Sequence, residues 1–469
     1  MKTYPLDFGV LHFVGIGGIG MSALARFAIR KELAVFGYDK TKTTLTQTLE
    51  KEGACISFVD NISTLPQQIK NQETTLVVFT PAISLGNEIL RWFIENDYRV
   101  MKRSEFLGEI TQDTLCLAVA GTHGKTTTTS LVASILTEAG LDPTFINGGI
   151  INSFASNAKL GKGDYLVAEA DESDKSFLML QPSLAIITNI EADHLINYDN
   201  SFDKLRQAFL DFVKRLPFNG LLISCGDDPE IRNLLPEFSR SNVTYGFDES
   251  NDYVLSNYKS NNFRSTFSLS HENQLISIDL NMLGRHNALN ASAACVLALE
   301  EGVDVLKIQH ALKNFMGINR RMQVLGDIKI KNSISTLIDD YGHHPSEIRS
   351  TIDSIRESHP EKKLTMVFQP HRYSRTKDLF EEFIEVLQTV DQLILLDIYS
   401  AGEELIKNYE SKDLLRRLRK TALKVCLSEE STLDSSIVEA LGNDEGILLM
   451  QGAGNISKFS ESIVKSFGN

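Results

Sequence analysis

The stretch LCLAVAGTHGKTTTTSLVASILTEAG, residues 115–140, joins an apolar run to a glycine-rich turn, a lysine, four threonines and an apolar pattern at helical spacing. A short apolar run ending at glycine reads as a buried strand, and apolar residues spaced by three and four read as a helix. Strand, glycine turn and helix in that order frame a phosphate-binding loop. Such a loop needs backbone amides around an anion, a lysine on the outer phosphates and a hydroxyl on Mg²⁺. Gly121, Gly124, Lys125 and Thr126 meet those needs, with Thr122, His123 and Thr127 beside them. The strict pattern GxxxxGK[ST] is not met, because Val119 stands where its first glycine belongs. The stretch therefore reads as a shortened relative of the P-loop. The bland alternative is a helix N-terminus with a solvated lysine.

The alternation of strand and helix extends to both sides. DYLVAEAD (164–171), LAIITNIE (184–191) and GLLISCGDD (220–228) read as further strands of the same unit. Upstream, VLHFV (10–14), AVFGYD (34–39) and TLVVFTP (75–81) read as strands, with GMSALARFAIRK and ILRWFIEN as helices. The chain changes character over residues 253–283, where RSTFSLSHENQLISIDLNML alternates apolar and polar around SHENQ and predicts a half-exposed antiparallel hairpin, and HNALNASAACVLALEEG follows as a helix. A third alternation begins near 325, with strands at TLIDDYG (336–342), KLTMVFQP (363–370), QLILLDIY (392–399) and GILLMQGAGN (446–455). The expected fold class is α/β in three domains. These are an N-terminal Rossmann-like doubly wound sheet (1–108), a central P-loop-type ATPase domain with added antiparallel strands (109–324) and a C-terminal Rossmann-like domain (325–469).

Composition narrows the function. The net charge of −14, from 47 basic and 61 acidic residues, argues against a general nucleic-acid binder or a membrane-surface protein. It leaves room for anionic small ligands held by local cations and helix N-termini. The five cysteines are scattered and form no CxxC, so neither a disulfide framework nor a zinc site is expected. No apolar run approaches the ~20 residues needed to span a bilayer. MKTYPLDFGV lacks the features of a signal peptide, so a cytoplasmic location is expected.

Two more motif groups carry chemistry. Gly15, Gly17, Gly18, Ile19 and Gly20 form GxGxxG directly after VLHFV, and Asp39 ends the next strand, where a ribose-binding carboxylate belongs. The motif suits a nucleotide diphosphate on a helix dipole and does not by itself separate NAD from other nucleotides; a glycine turn that only packs helix on strand is the alternative. Glu169 in VAEADESD and His194 in TNIEADH fall at the strand ends that share an edge with the P-loop, so both are candidates for divalent metal near Thr126. Asp171, Glu172 and Asp174 read as solvated or structural. In the third domain, DDYGHHP (339–345) and QPHRYSRT (369–376) bring Asp340, His343, His344, His371, Arg372 and Arg375 to two strand-end loops. Arginines there suit carboxylate or phosphate, histidines can move protons, and Asp340 can accept from ribose hydroxyls.

GTHGKTTTT, EADESD, NIEADH, GRHNALNASAA, DDYGHHP and QPHRYSRT, in that order along essentially the whole chain, resemble the Mur ligases. HFVGIGGIGMSALA resembles the alanine-adding branch of that family. The resemblance implies an ATP-dependent ligase that joins L-alanine to UDP-N-acetylmuramate through an acyl phosphate. It implies that Lys125 and the amides of 121–126 hold the β- and γ-phosphates. Thr126 and Glu169 would ligate one Mg²⁺, and Glu169 with His194 a second, with Mn²⁺ as a substitute. His286, Asn287 and Asn290 match positions near adenine, Asp340 one near the ribose, and Arg321 a basic position at the domain boundary. The glycine loop 15–20 would take the UDP diphosphate, while His343, Arg372 and Arg375 face phosphate or the incoming amino acid. The sequence departs from the family's pattern at FTPAIS (79–84), where Thr-Pro replaces small residues, and at Met322, where an aromatic is common. No lysine in EADESD or NIEADH offers the carbamylated lysine of some members. The oligomeric state stands open between monomer and homodimer. Rival readings are a murein peptide recycling ligase, a nicotinamide-dependent oxidoreductase and a non-catalytic nucleotide-binding regulator.

Overall fold

The three alternations become three sheets. The computed structural model describes residues 8–468 apart from 85, 113, 332 and 443. The chain divides into two compact units: one takes the residues up to Asn257 with Ser268–Ile278 and Leu289–Met316, the other takes Tyr258–Phe267, Asp279–Ala288 and the residues from Gly317 onward.

In the first unit a five-stranded sheet runs in the order Cys55–Ser57, Ala34–Tyr38, Val10–Val14, Thr75–Phe79, Arg99–Lys102. Its paired strands are all parallel. The chain winds from the central strand to one side and then to the other. The crevice at that strand's C-terminal end is therefore a switch point, the place where open α/β sheets bind ligands. Val14, Val77, Ile89, Leu90 and Phe93 close the core on one face. The two edge strands, only three and four residues long, were too short and too polar to stand out in the sequence.

A ten-stranded sheet follows, in the order Gln274–Leu280, Arg264–His271, Tyr253–Asn261, Ser241–Gly246, Leu221–Cys225, Leu184–Ile187, Leu115–Ala120, Tyr165–Glu169, Thr144–Ile151, Ser156–Lys159. The P-loop strand Leu115–Ala120 lies between Leu184–Ile187 and Tyr165–Glu169, parallel to both. This topology brings Glu169 and the TNIEADH loop to either side of the phosphate loop. The expected hairpin at 253–283 is a run of three strands, because Tyr253–Asn261 joins it. Thr144–Ile151 was hidden by its Gly-Gly pair, which lowers strand propensity.

The second unit carries a six-stranded sheet in the order Gln323–Ile330, Ser333–Asp340, Gly446–Gln451, Lys363–Phe368, Gln392–Leu395, Lys424–Leu427. Only the first pair is antiparallel. Its central strands are apolar along their length because both faces are covered. Ile338, Met366, Phe368 and Leu449 pack against the helices Pro345–Ser358 and Phe380–Leu387, while Leu337, Val367, Leu448 and Met450 pack on the other side with Leu433–Leu441 and Ile456–Phe467. DDYGHHP and QPHRYSRT leave the C-terminal ends of strands on either side of Gly446–Gln451.

Candidate functional site

The phosphate loop is built by backbone geometry that only glycine reaches cheaply. Gly121 has φ +130° and Gly124 φ +81°, and a β-carbon on them would lie 2.0 Å from Thr188 Oγ1 and 2.4 Å from Asn290 Oδ1. Gly124 caps the helix Lys125–Glu138 from the left-handed region. Asn189 then fixes the loop from outside. Its Oδ1 accepts the His123 amide (2.8 Å), its Nδ2 donates to the His123 carbonyl (3.0 Å), and its backbone oxygen accepts the Thr122 amide (3.0 Å). Thr188 Oγ1 donates to the same His123 carbonyl (2.6 Å). This corrects the expectation that all the amides of 121–126 face phosphate: those of Thr122 and His123 are committed to Asn189. The amides of Lys125 and Thr126 belong to the helix's first turn, where N–H groups have no internal acceptors. The His123 ring faces Glu191, Nε2 to Oε2 3.3 Å. Thr127 is buried in the helix, and Thr128 Oγ1 donates to Asn290 Oδ1 (3.3 Å), so Asn290 backs the loop.

Lys125 Nζ donates to the carbonyls of Gly121 (2.7 Å) and Thr122 (3.0 Å) and to Glu172 Oε2 (2.7 Å). Glu172 is 2% exposed. Of the solvated or structural roles expected for Glu172, the solvated one is therefore excluded: the side chain forms a buried ion pair with the P-loop lysine. Burial pushes its carboxyl up to about 7 against the pull of Lys125. Burial works to lower the Lys125 pKa, but Glu172, Asp171 and Glu169 outweigh it and raise it. Nothing local in EADESD told Glu172 from its neighbours, because burial is a property of the assembled loop.

Thr126 Oγ1 donates to Glu169 Oε1 (3.1 Å), and Glu169 Oε2 accepts the Gly148 amide (2.7 Å). A hydroxyl and a carboxylate held side by side are the hard oxygen donors that Mg²⁺ prefers. His194 lies beyond Leu184–Ile187 with φ +55°, and its Nε2 is 3.4 Å from Asp193 Oδ2.

At the first sheet, the Gly17 amide donates to Asp39 Oδ2 (2.8 Å) and the Thr41 amide to Asp39 Oδ1 (3.0 Å). Asp39, expected on a ribose, thus ties the glycine loop to the neighbouring strand. The Gly18 amide bonds Gly15 O (3.2 Å), so the amides of Ile19 and Gly20, opening the helix Ile19–Arg30, are the ones suited to a diphosphate. A β-carbon on Gly15 would lie 2.7 Å from Thr80 Cγ2, so the Thr-Pro departure in FTPAIS borders this loop. Two further side chains here went unread in the sequence. Arg103 Nη1 is 2.9 Å from the place of a Gly20 β-carbon, and its Nη2 is 3.8 Å from Asp171. Asn157, fully buried, donates to Ile19 O (2.6 Å) and accepts from Arg26.

In the second unit, Asp340 is buried and heavily engaged. Oδ2 accepts the Met322 amide (2.8 Å), and Oδ1 accepts from Gly342 N (2.9 Å), Gln451 Nε2 (2.7 Å) and Thr351 Oγ1 (3.3 Å). Its evident job is to hold the 317–322 segment and the DDYGHHP turn, which limits what it offers a ribose. Arg321 stacks on Tyr341 (5.1 Å) and faces Glu347 (3.8 Å). His343 and His371 meet edge to face at 5.5 Å, so the two strand-end loops do converge. Burial lowers His343 to about 3 and His371 to about 4, with Arg375 adding to both. Arg375 is buried, and Arg372, at φ +60°, faces Glu403 at 3.8 Å. His286 is lowered to about 4 by burial, and Asn287 Nδ2 donates to Leu283 O (2.7 Å).

The sequence matches the Mur ligase family, catalytic domain over residues 10–114, the Mur ligase middle domain over 119–298, and the Mur ligase, glutamate ligase domain over 320–454. A UDP-N-acetylmuramate–L-alanine ligase from Baumannia cicadellinicola subsp. Homalodisca coagulata is 44% identical over 461 residues, covering 97% of this chain and 93% of that one. The crystal structure of the UDP-N-acetylmuramate-alanine ligase MurC from Thermotoga maritima aligns with a TM-score of 0.83 at 28% identity, over 97% of this chain and 98% of that one. A murein peptide ligase from Psychrobacter arcticus shares the fold, with a TM-score of 0.72 at 24% identity over 98% and 99%. With all three family domains in order and such identity across nearly the whole length, the chain belongs to the Mur ligase family.

Proposed function

We propose that this chain is the ATP-dependent ligase that joins L-alanine to the carboxylate of UDP-N-acetylmuramate, giving UDP-N-acetylmuramoyl-L-alanine, ADP and phosphate for peptidoglycan synthesis. The observation that carries the reading is the 44% identity, across 97% of the chain, to a ligase of that name. The muramyl carboxylate attacks the γ-phosphate in line, forming an acyl phosphate and releasing ADP. The amine of L-alanine then attacks the acyl carbon, and phosphate leaves. A carboxylate is a poor acyl donor, and phosphorylation supplies the leaving group.

Within that reading, Lys125 and the first-turn amides of its helix neutralise charge on the transferring phosphoryl group. Thr126, Glu169 and His194 are suited to hold one or two Mg²⁺, with Mn²⁺ as a substitute, and the metal supplies further charge neutralisation there. His286, Asn287, Asn290, Arg321 and Asp340 serve the adenosine. Gly15, Gly17, Gly18, Ile19, Gly20 and Asp39 form the UDP-substrate loop. His343, Arg372 and Arg375 meet phosphate or L-alanine; His343 and His371 stay neutral at physiological pH and act there as hydrogen-bonding groups. The division of labour follows residues 1–108, 109–324 and 325–469. The enzyme works in the cytoplasm as a monomer or homodimer; among the described residues no helix is long and apolar enough to cross a membrane.

The test is phosphate release from ATP and Mg²⁺ with UDP-N-acetylmuramate, across L-alanine, D-glutamate, the tripeptide L-Ala-D-Glu-diaminopimelate and no addition. Release that depends on L-alanine and drops at least ~100-fold in Lys125→Ala is the expected result. A tripeptide-only response moves the assignment to the recycling ligase, and silence across the panel overturns it.

A further inference from the structure

An ammonium has three N–H donors. All three on Lys125 are committed, to Gly121 O, Thr122 O and Glu172 Oε2, each within 3.0 Å. Lys125 therefore reaches a phosphate oxygen only by giving up one acceptor. The two carbonyls belong to a loop that Asn189 and Thr188 pin from outside. Glu172 is the one acceptor on a side chain. It is also the one that carries negative charge, which an arriving phosphate opposes most.

We propose that Glu172 is an exchangeable counter-ion for the nucleotide lysine: the outer phosphate of ATP replaces its carboxylate at Lys125, and the displaced carboxylate takes a proton from solvent. This rests on the ATP-site reading given above. Glu172 is then a positioning residue, acting on ATP through Lys125. A buried carboxylate stripped of its cation is too costly to keep charged. The protein's own side chains do not replace that cation. Asp171 lies next to it in the chain, and the carboxylates of Asp171, Asp174 and Glu172 act together on the Tyr198 hydroxyl, which itself donates to Glu172 O at 2.5 Å. Glu169 adds negative charge around Lys125, Arg103 is turned to Asp171, and Lys175 stacks on Tyr198. The carboxyl of Glu172 already sits at about 7 with Lys125 beside it.

The experiment is calorimetric titration of the full chain with Mg·ATP at about pH 8, in two buffers of different ionisation enthalpy, which counts protons bound per ATP. The wild type is expected to take up about one proton per ATP, fewer as the pH is lowered below about 7. Glu172→Gln, which has no charge to neutralise, is expected to take up none and to bind ATP roughly three- to tenfold more tightly. If Glu172→Gln does not fold, the wild-type proton count decides the matter, with Glu172→Asp as a second variant whose shortened carboxylate weakens the hold on Lys125. Binding without proton uptake in the wild type overturns the exchange, as does a Glu172→Gln variant that keeps the uptake or binds ATP more weakly. Lys125→Ala separates the two claims. Unchanged ATP affinity there overturns the ATP-site reading and the exchange with it; lost affinity there, with no proton uptake in the wild type, overturns the exchange alone.

Discussion

Asn189 gives both halves of its side-chain amide to one residue, His123, and its backbone oxygen to the next amide back. Removing that side chain leaves the His123 amide without its acceptor and takes one of two donors from the His123 carbonyl. Asn189→Ala is expected to cost about 1–3 kcal/mol of stability and to raise the KM for ATP while leaving that for L-alanine unchanged. Urea denaturation and steady-state kinetics check both. An unchanged ATP KM would mean that the loop holds its shape without Asn189. The contrast with Lys125 and Thr126 shows what a sequence exposes at this scale. A lysine and threonine after glycine announce their chemistry by neighbours in the chain, and Glu169 by its place at a strand end. Asn189, Glu172 and Arg103 act through partners 47 to 68 residues away, a relation no local pattern encodes. Asp39 and Asp340 show the reverse: each stands out by its strand-end position, yet its carboxylate is engaged by donors within the protein, amides of nearby loops for Asp39 and amides and side chains for Asp340.

The helix Ile19–Arg30 packs against strands of two sheets. Its first turn is the candidate diphosphate site, and its buried face meets the strand Ser156–Lys159 through Asn157. That one amide donates to Ile19 O and Ser22 Oγ and accepts from Arg26, whose Nε pairs with Glu52 at 2.8 Å. Asn157→Ala leaves a buried guanidinium short of an acceptor. A loss of about 2 kcal/mol is expected, together with a raised KM for UDP-N-acetylmuramate and an unchanged KM for ATP. Equal rises in both constants would point to general loosening instead. The helix and its central strand were plain from periodicity. The strand that anchors it was not, since SNAK has neither apolar alternation nor β-branched residues. The Gly-rich Thr144–Ile151 beside it escaped for a related reason: its strand form comes from the sheet it joins, and its Gly148 amide then serves Glu169. Elements that read clearly are those whose cores are self-evident; those that complete a site are set by tertiary packing.

Across the whole chain, the response to acid follows from where histidines are buried. The second unit holds His286, His343 and His371, lowered to about 4, 3 and 4, chiefly by burial. An unfolded chain protonates these groups near pH 6.5. The folded state refuses the proton until far lower, so from about pH 6.5 downward the unfolded state binds more protons and stability falls. Each such histidine contributes a slope of about 1.4 kcal/mol per pH unit until its folded pKa is reached. In the first unit burial likewise lowers His12 to about 3, with both ring nitrogens unpartnered in the core. It also has Glu172 and Asp228, raised to about 7 and 6, chiefly by burial. Those two carboxyls act with the opposite sign: the folded state binds their protons more readily, which offsets part of the loss from His12, as Asp339, also raised by burial, does in the second unit. The second unit is therefore expected to open first as pH is lowered from about 6.5 to about 4.5. Hydrogen exchange followed by mass spectrometry should show protection lost first in Ser333–Asp340, Lys363–Phe368 and Gly446–Gln451, and retained longer in Leu115–Ala120 and Leu184–Ile187. His286→Gln should flatten the pH dependence of stability by about 1.4 kcal/mol per unit across that range. Simultaneous loss of protection in both units, or an unchanged slope in His286→Gln, would assign the acid response to groups other than these buried histidines.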